Sequence, residues 1–312
     1  MSGLIGIDWG TSSLRAYWLD EHGQIRDTRS RPWGVRQLPA GGFDAALADV
    51  VQDWPDVPRL ACGMVGSRNG WHEVPYLPLP AGAAELGAAL TEWRSTDGKA
   101  LHIVSGLRNS LGPDVMRGEE TQLFGALARA PALAARSTWL LPGTHSKWAS
   151  VRDGKVTDFA TVMSGELFAL LRQHSILATG VESTTPDWQA FARGVVAARD
   201  SGAAGAWSRL FSARALMLDG ALSPASVPDY LSGLLLGEEF RSTLAEQRFA
   251  LDQPAQLIGE PALCARYRRA ASYFDITLAE PAADAAAYGL WQIALSHGLI
   301  ASPTSPAMVG MP

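Results

Sequence analysis

One short phrase occurs twice in this chain, each time among the same kinds of neighbours. Asp8-Trp9-Gly10-Thr11-Ser12-Ser13-Leu14-Arg15 follows the apolar run Leu4-Ile5-Gly6-Ile7. Leu141-Pro142-Gly143-Thr144-His145-Ser146-Lys147-Trp148 ends a second run, Thr138-Trp139-Leu140-Leu141. The two Gly-Thr-x-Ser copies stand 133 residues apart (143 minus 10). After each comes another strand-like run and then a polar turn, Asp20-Glu21-His22-Gly23 or Arg152-Asp153-Gly154-Lys155. A chain built this way is constrained to two related halves, each opening on a hairpin with Gly and hydroxyl residues at its tip. Backbone N–H groups and hydroxyls at such tips suit a polyphosphate, and glycine lets the backbone approach the oxygens closely. Gly-Thr and Gly-Ser are also ordinary turn residues. It is the duplicated context, rather than either copy, that points to a ligand.

At 312 residues the chain exceeds the roughly 250–300 at which one hydrophobic core stops growing, so two lobes are expected. A net charge of −5 argues against a general nucleic-acid surface, which needs clustered positive charge. Cys62 and Cys264 lie in apolar contexts and read as core thiols rather than a disulfide. No apolar run reaches the length of a membrane span. The first strand starts by residue 4, which leaves no signal peptide, so the expected compartment is the cytoplasm, without a membrane partner. A homo-oligomer stays open.

Residues 3–8, 14–19 and 24–29 read as a meander of three strands, and 42–54 as an amphipathic helix burying Phe43, Ala46, Leu47, Val50, Val51 and Trp54. Strand Leu60–Gly63, an irregular loop from Met64 to Gly82, a helix over 83–94, strand Leu101–Val104 and helix Glu119–Arg129 complete an N-terminal lobe over 1–130. The C-terminal lobe, 131–300, repeats the opening with strands at 138–141, 147–151 and 155–162. Ser164 is expected to cap a helix. A helical insertion follows at about 186–247, then strand Gln256–Ile258, a helix from Pro261, strand Ile276–Leu278 and a helix over 282–297. Residues 301–312 read as a loose tail. The expected architecture is two related α/β lobes with a cleft between them.

Several residues have the chemistry of a phosphoryl-transfer site. Asp8, at the end of the first strand and before the glycine turn, can hold the waters of a Mg²⁺ ion that bridges phosphates, or it can cap its own turn. Arg15 meets either anionic charge or solvent. In Arg117-Gly118-Glu119-Glu120 the two carboxylates sit where a helix dipole favours them. One of them could equally accept a hydroxyl proton, with Arg117 binding an anion. His145 and Lys147 can neutralise phosphate oxygens or project idly from an exposed hairpin. The loop with Arg68, Asn69, Trp71 and Tyr76 has the composition of a pocket for a small polar acid; a merely structural Gly/Pro loop is its alternative. G-x-x-x-x-G-K-[ST], G-x-G-x-x-G after a strand, H-E-x-x-H and G-x-S-x-G are absent from the sequence.

Ile5-Gly6-Ile7-Asp8-Trp9-Gly10-Thr11-Ser12 resembles the first phosphate motif of the actin-like ATPase, sugar kinase and Hsp70 superfamily. Leu140 to Lys147 resembles its second motif, and Leu257-Ile258-Gly259-Glu260 stands where its adenosine motif belongs. Pro142 replaces an Asp common in the second motif, and Glu260-Pro261 replaces glycines in the third. Within that group the match is closest to the 2-dehydro-3-deoxygalactonokinases. It is carried by Arg117-Gly118-Glu119-Glu120-Thr121-Gln122, Pro142 to Trp148, Ser164-Gly165-Glu166-Leu167-Phe168 and Leu231-Ser232-Gly233-Leu234-Leu235. The resemblance implies an α/β fold of two ribonuclease H-like lobes. It also implies transfer of the ATP γ-phosphate to the terminal hydroxyl of 2-dehydro-3-deoxy-D-galactonate, a small-molecule sugar acid, giving the 6-phosphate in galactonate catabolism. On this reading Asp8 organises Mg²⁺ through water, and Glu119 or Glu120 is the base. Gly10, Thr11, Ser12, Ser13, Gly143, Thr144, His145, Ser146 and Lys147 hold phosphates. Arg15, Arg68, Asn69, Trp71, Tyr76 and Arg117 contact the acid, and Gly165, Glu166, Gly259 and Glu260 the nucleotide. An exopolyphosphatase-like phosphohydrolase and a non-catalytic ATP-gated scaffold on the same fold are the alternatives.

Overall fold

The computed structural model describes residues 3–110, 112–178 and 185–301, and the chain divides into two compact units. Of the described residues, those up to Arg136, Val151–Asp158 and those from Ala283 onward form the first. Ser137–Ser150 and Phe159–Ala282 form the second. The last helix, placed in the C-terminal half by its sequence position, therefore belongs to the first unit. The expected tail lies outside the described residues except for Ala301.

The first unit contains β1 (Gly3–Trp9), β2 (Leu14–Asp20), β3 (Ile25–Arg31), α1 (Gly42–Val50), β4 (Arg59–Gly63), β5 (Tyr76–Pro78) and α2 (Ala83–Ala88). β6 (Thr91–Arg94), β7 (Ala100–Ile103), β8 (Gly106–Asn109), β9 (Asp114–Met116) and α3 (Glu119–Arg129) follow. Its main sheet runs β3-β2-β1-β4-β7-β6. β1 pairs antiparallel with β2 and parallel with β4, so it lies in the sheet interior. The residues of β1 are accordingly apolar and buried almost throughout, whereas edge strand β3 alternates between partly buried and exposed. The helix expected over 83–94 stops at Ala88. Thr91-Glu92-Trp93-Arg94 alternates in exposure and pairs antiparallel with β7 as an edge strand, because a Thr/Trp alternation fits a pleated surface better than a helix. The Met64–Gly82 loop carries one 3₁₀ turn at Met64–Gly66 and β5.

Then come β10 (Arg136–Leu141), β11 (Ser146–Arg152), β12 (Lys155–Val162), α4 (Ser164–His174), α5 (Trp188–Arg199), α6 (Ser212–Leu218) and α7 (Val227–Glu246). The chain closes with β13 (Ala255–Leu257), α8 (Pro261–Ala271), β14 (Leu278–Pro281) and α9 (Ala285–His297). The second sheet runs β12-β11-β10-β13-β14. Its order repeats that of β3-β2-β1-β4-β7: three successive strands, then two that join the same edge in parallel. The duplication read from the motifs is thus a duplication of sheet topology. The stretch expected as a helical insertion holds α5, α6 and α7.

Two layers flank the first sheet. Ile5, Ile7 and Trp9 pack with Ala46, Leu47 and Val50 of α1 on one face. On the other face Gly6 lies against Leu290 of α9. Helices α3 and α9 cross at backbone contact: a Cβ on Gly125 would stand 1.8 Å from the Ala285 carbonyl oxygen, and one on Gly289 1.8 Å from that of Thr121. Overpacking of this kind typically costs about 1–3 kcal/mol. Gly125→Ala should therefore lower unfolding stability by about 2 kcal/mol or more in urea titration; an unchanged midpoint would show that the helices separate freely.

Candidate active site

The parity of β1 decides where Asp8 points. Successive strand residues face opposite sides of the sheet. Ile5, Ile7 and Trp9 take the α1 face, so Asp8 shares the face of Gly6, on the side of α3 and α9. There its carboxylate hydrogen-bonds Gln122 of α3 and accepts the Cys62 thiol at 3.9 Å. In the sheet register its cross-strand partner is Arg15. Burial pushes the Asp8 carboxyl up to about 6; Arg15 opposes the shift and Glu119 adds to it. Arg15 also hydrogen-bonds the phenol of Tyr17 and feels Asp284, so an exposed guanidinium is held over the site by three groups.

The turn after Asp8 is closed by Gly10 N–H donating to the Ser13 carbonyl at 2.9 Å. It is also braced from outside: Val35 and Arg36 donate to the Gly10 and Thr11 carbonyls at 3.1 and 3.3 Å. A Cβ on Gly34 would stand 2.1 Å from Thr11 O, so only glycine allows this contact. Thr11 is partly exposed, and Ser12 and Ser13 are exposed.

The two glutamates separate by environment. Glu120 is fully buried. Its carboxyl oxygens accept the Gly118 N–H at 2.9 and 2.7 Å and the Thr121 hydroxyl at 3.0 Å. Burial, reinforced by Glu119, pushes its carboxyl up to about 8. Glu119 is partly exposed, accepts the Arg117 N–H at 3.0 Å and shares its field with Asp8. Gly118, at φ +104°, lets α3 start directly against Gly63. Arg117 is buried. Its Nη2 donates to the Val74 carbonyl at 2.8 Å and its guanidinium lies 4.3 Å from the Tyr76 ring centroid. Its Nε and Nη1 have no hydrogen-bond partner among the described residues. Arg68 and Asn69 are exposed. Trp71 stacks on Phe43 at 5.5 Å and meets Trp9 edge-on at 6.0 Å. Its ring packs beside the core and stays partly exposed.

In the second unit, the Gly143–Lys147 turn rests on the start of α4. Glu166 N–H donates to the Thr144 carbonyl at 2.9 Å. A Cβ on Gly165 would stand 2.3 Å from Gly143 O. His145 pairs with Glu166, and buried Lys147 donates to the His145 carbonyl at 3.1 Å. Ser164 does not cap α4; Met163 holds that position. The Ser164 hydroxyl goes instead to Glu239, a buried carboxylate that the sequence motifs did not mark. Burial pushes the Glu239 carboxyl above its ordinary range, against the pull of its hydrogen bonds. Glu260 is the N-cap of α8, accepting Leu263 N–H at 3.0 Å. A cavity of about 280 Å³ opens beside Gly143 and Gly165, close to the lower end of the roughly 300–1,000 Å³ usual for ligand pockets. Leu235, Leu236, Leu263 and Tyr267 are among its walls, with Arg266 held to Asp229 at 2.6 Å. Of the four nucleotide residues implied by motif, only Gly165 is among those lining it; the wall of α8 begins one turn beyond Glu260, at Leu263.

The family model described as 2-keto-3-deoxy-galactonokinase matches residues 8–293. The chain belongs to that family. It is 37% identical over 270 residues to the 2-dehydro-3-deoxygalactonokinase of Escherichia coli strain K12, covering 85% of this chain and 88% of the relative. A crystal structure of a Sinorhizobium meliloti protein assigned to the 2-dehydro-3-deoxygalactonokinases superimposes with a TM-score of 0.84 at 34% identity, covering 94% of this chain and 98% of that one. The activator of the 2-hydroxyisocaproyl-CoA dehydratase of Clostridium difficile shares the fold, with a TM-score of 0.54 at 12% identity over 95% and 96% of the two chains. As a member of this kinase family the chain is an ATP-dependent sugar kinase with a small-molecule substrate. Among the described residues, no helix is long and apolar enough to cross a membrane.

Because Glu120 binds its proton more tightly folded than unfolded, stability must fall as pH rises from its ordinary value near 4.5 to about 8 and level off above. In Glu120→Gln this fall should shrink, so that the variant gains on the wild type by several degrees in Tm between pH 5 and pH 8.5. Parallel Tm–pH curves would show Glu120 to be ionised in the fold.

Proposed function

We propose that this chain transfers the γ-phosphate of Mg-ATP to the terminal hydroxyl of 2-dehydro-3-deoxygalactonate. The observation that carries the residue roles is the pairing of Asp8, directly before the Gly10–Ser13 turn, with Glu119 at the start of α3. Asp8 and Glu119 raise each other's energy as like charges, a conflict that a divalent cation near Asp8 would relieve. Among the described residues no group of three or more His, Cys, Asp or Glu could hold a metal. The single Asp8 carboxylate beside the turn is the donor that Mg²⁺ would use through water together with substrate phosphates. When bound, the ion would supply charge neutralisation at the phosphates.

Glu119 is the base. It is partly exposed, whereas Glu120 is sealed beneath it and has its oxygens engaged by Gly118 and Thr121. Glu119 takes the hydroxyl proton as the oxygen attacks phosphorus, a contribution of typically 10²–10⁴-fold. Each Gly-Thr-x-Ser turn serves as a phosphate-holding element, presenting Gly10 to Ser13 in one unit and Gly143 to His145 in the other. The cavity beside Gly143 takes the nucleoside. Arg117, stacked on Tyr76 with its Nε and Nη1 unmet among the described residues, supplies the positive charge that a sugar-acid carboxylate requires; Arg15 stands by Asp8 toward the transferring phosphate.

A coupled ATPase assay against a panel of 2-keto-3-deoxy acids, with neutral sugars as controls, tests the reading. ADP release should depend on the acid. Phosphate release without any acid would instead indicate a phosphohydrolase. Asp8→Asn should abolish turnover without loss of Tm, and Glu119→Gln should lower kcat by two orders of magnitude or more, with a smaller effect from Glu120→Gln. A severe loss in Glu120→Gln with a mild one in Glu119→Gln would reverse the assignment of the base.

The pH profile should show the Asp8 titration. Its carboxyl must be ionised to hold the metal, so kcat/KM at low Mg²⁺ should fall as pH drops through about 6. Saturating Mg²⁺, which favours the ionised form, should move that limb to lower pH; a limb insensitive to Mg²⁺ would place the titration elsewhere.

A further inference from the structure

Beneath the second turn lies a closed group of polar side chains with no place in the chemistry described so far. Glu239, on α7, is 1% exposed. Its Oε1 accepts the indole N–H of Trp148, on β11, at 2.9 Å. Its Oε2 accepts the hydroxyls of Ser164, at the start of α4, and of Tyr267, on α8, the latter at 2.7 Å. The Tyr267 oxygen is in turn hydrogen-bonded to Ser146, the last Ser of the Gly-Thr-x-Ser turn, itself fully buried.

The protons in this group can be counted. With Glu239 ionised, the one O–H of the Tyr267 phenol is donated to Glu239. Toward Ser146 the phenol oxygen can therefore only accept, so the Ser146 hydroxyl donates inward. A serine has one O–H as well, so Ser146 has none to offer a phosphate oxygen. Its commitment is to the protein. One carboxylate thus holds three elements at once: β11 through Trp148, α4 through Ser164, and α8 through Tyr267. Two of these hydroxyl bearers, Ser164 and Tyr267, also line the 280 Å³ cavity, and Gly165, next to Ser164, is the residue on which the turn rests. A buried polar group with every partner satisfied specifies one arrangement, and loss of one partner leaves the others unmet.

We infer that Glu239 is a positioning residue for nucleotide binding: through Tyr267 and Ser164 it sets the shape of the Gly143–Lys147 turn and of the adjoining cavity wall, and it fixes Ser146 as a donor to protein rather than to phosphate. This rests on the reading of that turn and cavity as the nucleotide's place. The consequence is a split between substrates. Disturbing the network should weaken nucleotide binding and leave the sugar acid, whose contacts lie in the first unit, nearly untouched.

The experiment is calorimetric titration of the full-length protein with Mg-ADP and with a non-hydrolysable ATP analogue, alongside KM values for ATP and for 2-dehydro-3-deoxygalactonate. Tyr267→Phe removes one hydroxyl at constant shape. It should weaken nucleotide binding about tenfold and raise KM for ATP similarly, with KM for the acid within twofold and Tm lowered by only a few degrees. Glu239→Gln should do the same, and the double variant should be no worse than the poorer single one, since both break one network. If Glu239→Gln fails to fold, Tyr267→Phe and Ser164→Ala decide. Nucleotide constants within twofold of wild type in both, with Tm reduced, would make the network scaffolding and overturn the inference. Equal losses for nucleotide and acid would overturn it too. Absence of nucleotide binding in the wild type would sink the kinase reading itself, a result distinct from either.

Discussion

Both glycine turns of this protein depend on backbone approaching backbone without a side chain between. Gly34 touches the first turn at Thr11 and Ser12, and Gly165 touches the second at Gly143 and Thr144, at separations where a Cβ would have no room. A hairpin tip alone is among the more mobile parts of a fold. Here each tip is pressed against a second segment and tied to it by N–H to carbonyl bonds, from Val35 and Arg36 in one case and Glu166 in the other. The two units reach the same solution with different parts, a loop in the first and a helix start in the second.

Four acidic residues of the same two types acquire different characters from their surroundings. Asp8 is pushed up only to about 6 because Arg15 offsets part of its burial. Glu120 goes further, to about 8, buried beside another glutamate. Glu119, one residue earlier on the helix, keeps contact with solvent. Glu239 is buried among three donors and organises them. Carboxyl groups of one chain are pushed to different acidities by burial, by like charge and by hydrogen bonds.

Much of the fold was legible in the chain. Strand β12, helix α3 and the start of α8 fall where periodicity and the Pro261 signal put them, because those signals are local. The failures share one cause. Ser164 looks like a helix cap, but a buried carboxylate 75 residues away takes its hydroxyl. Thr91–Arg94 follows a helix without a strong stop signal, yet β7 offers an edge to pair with. In each case a distant partner outweighed a local preference.

The sequence by itself determined that there are two related halves, that each opens on a glycine turn, and that Asp8 stands directly before the first turn and Glu119 and Glu120 at the start of a helix. These are properties of residue type and spacing, set by the two-residue period of strands and the conformational freedom of glycine. Only the tertiary structure decided which glutamate reaches solvent, which glycines brace the turns, that α9 returns to the first unit, and that Glu239 lies under the second turn. Burial and pairing are made between segments far apart in the chain, and no local pattern records them.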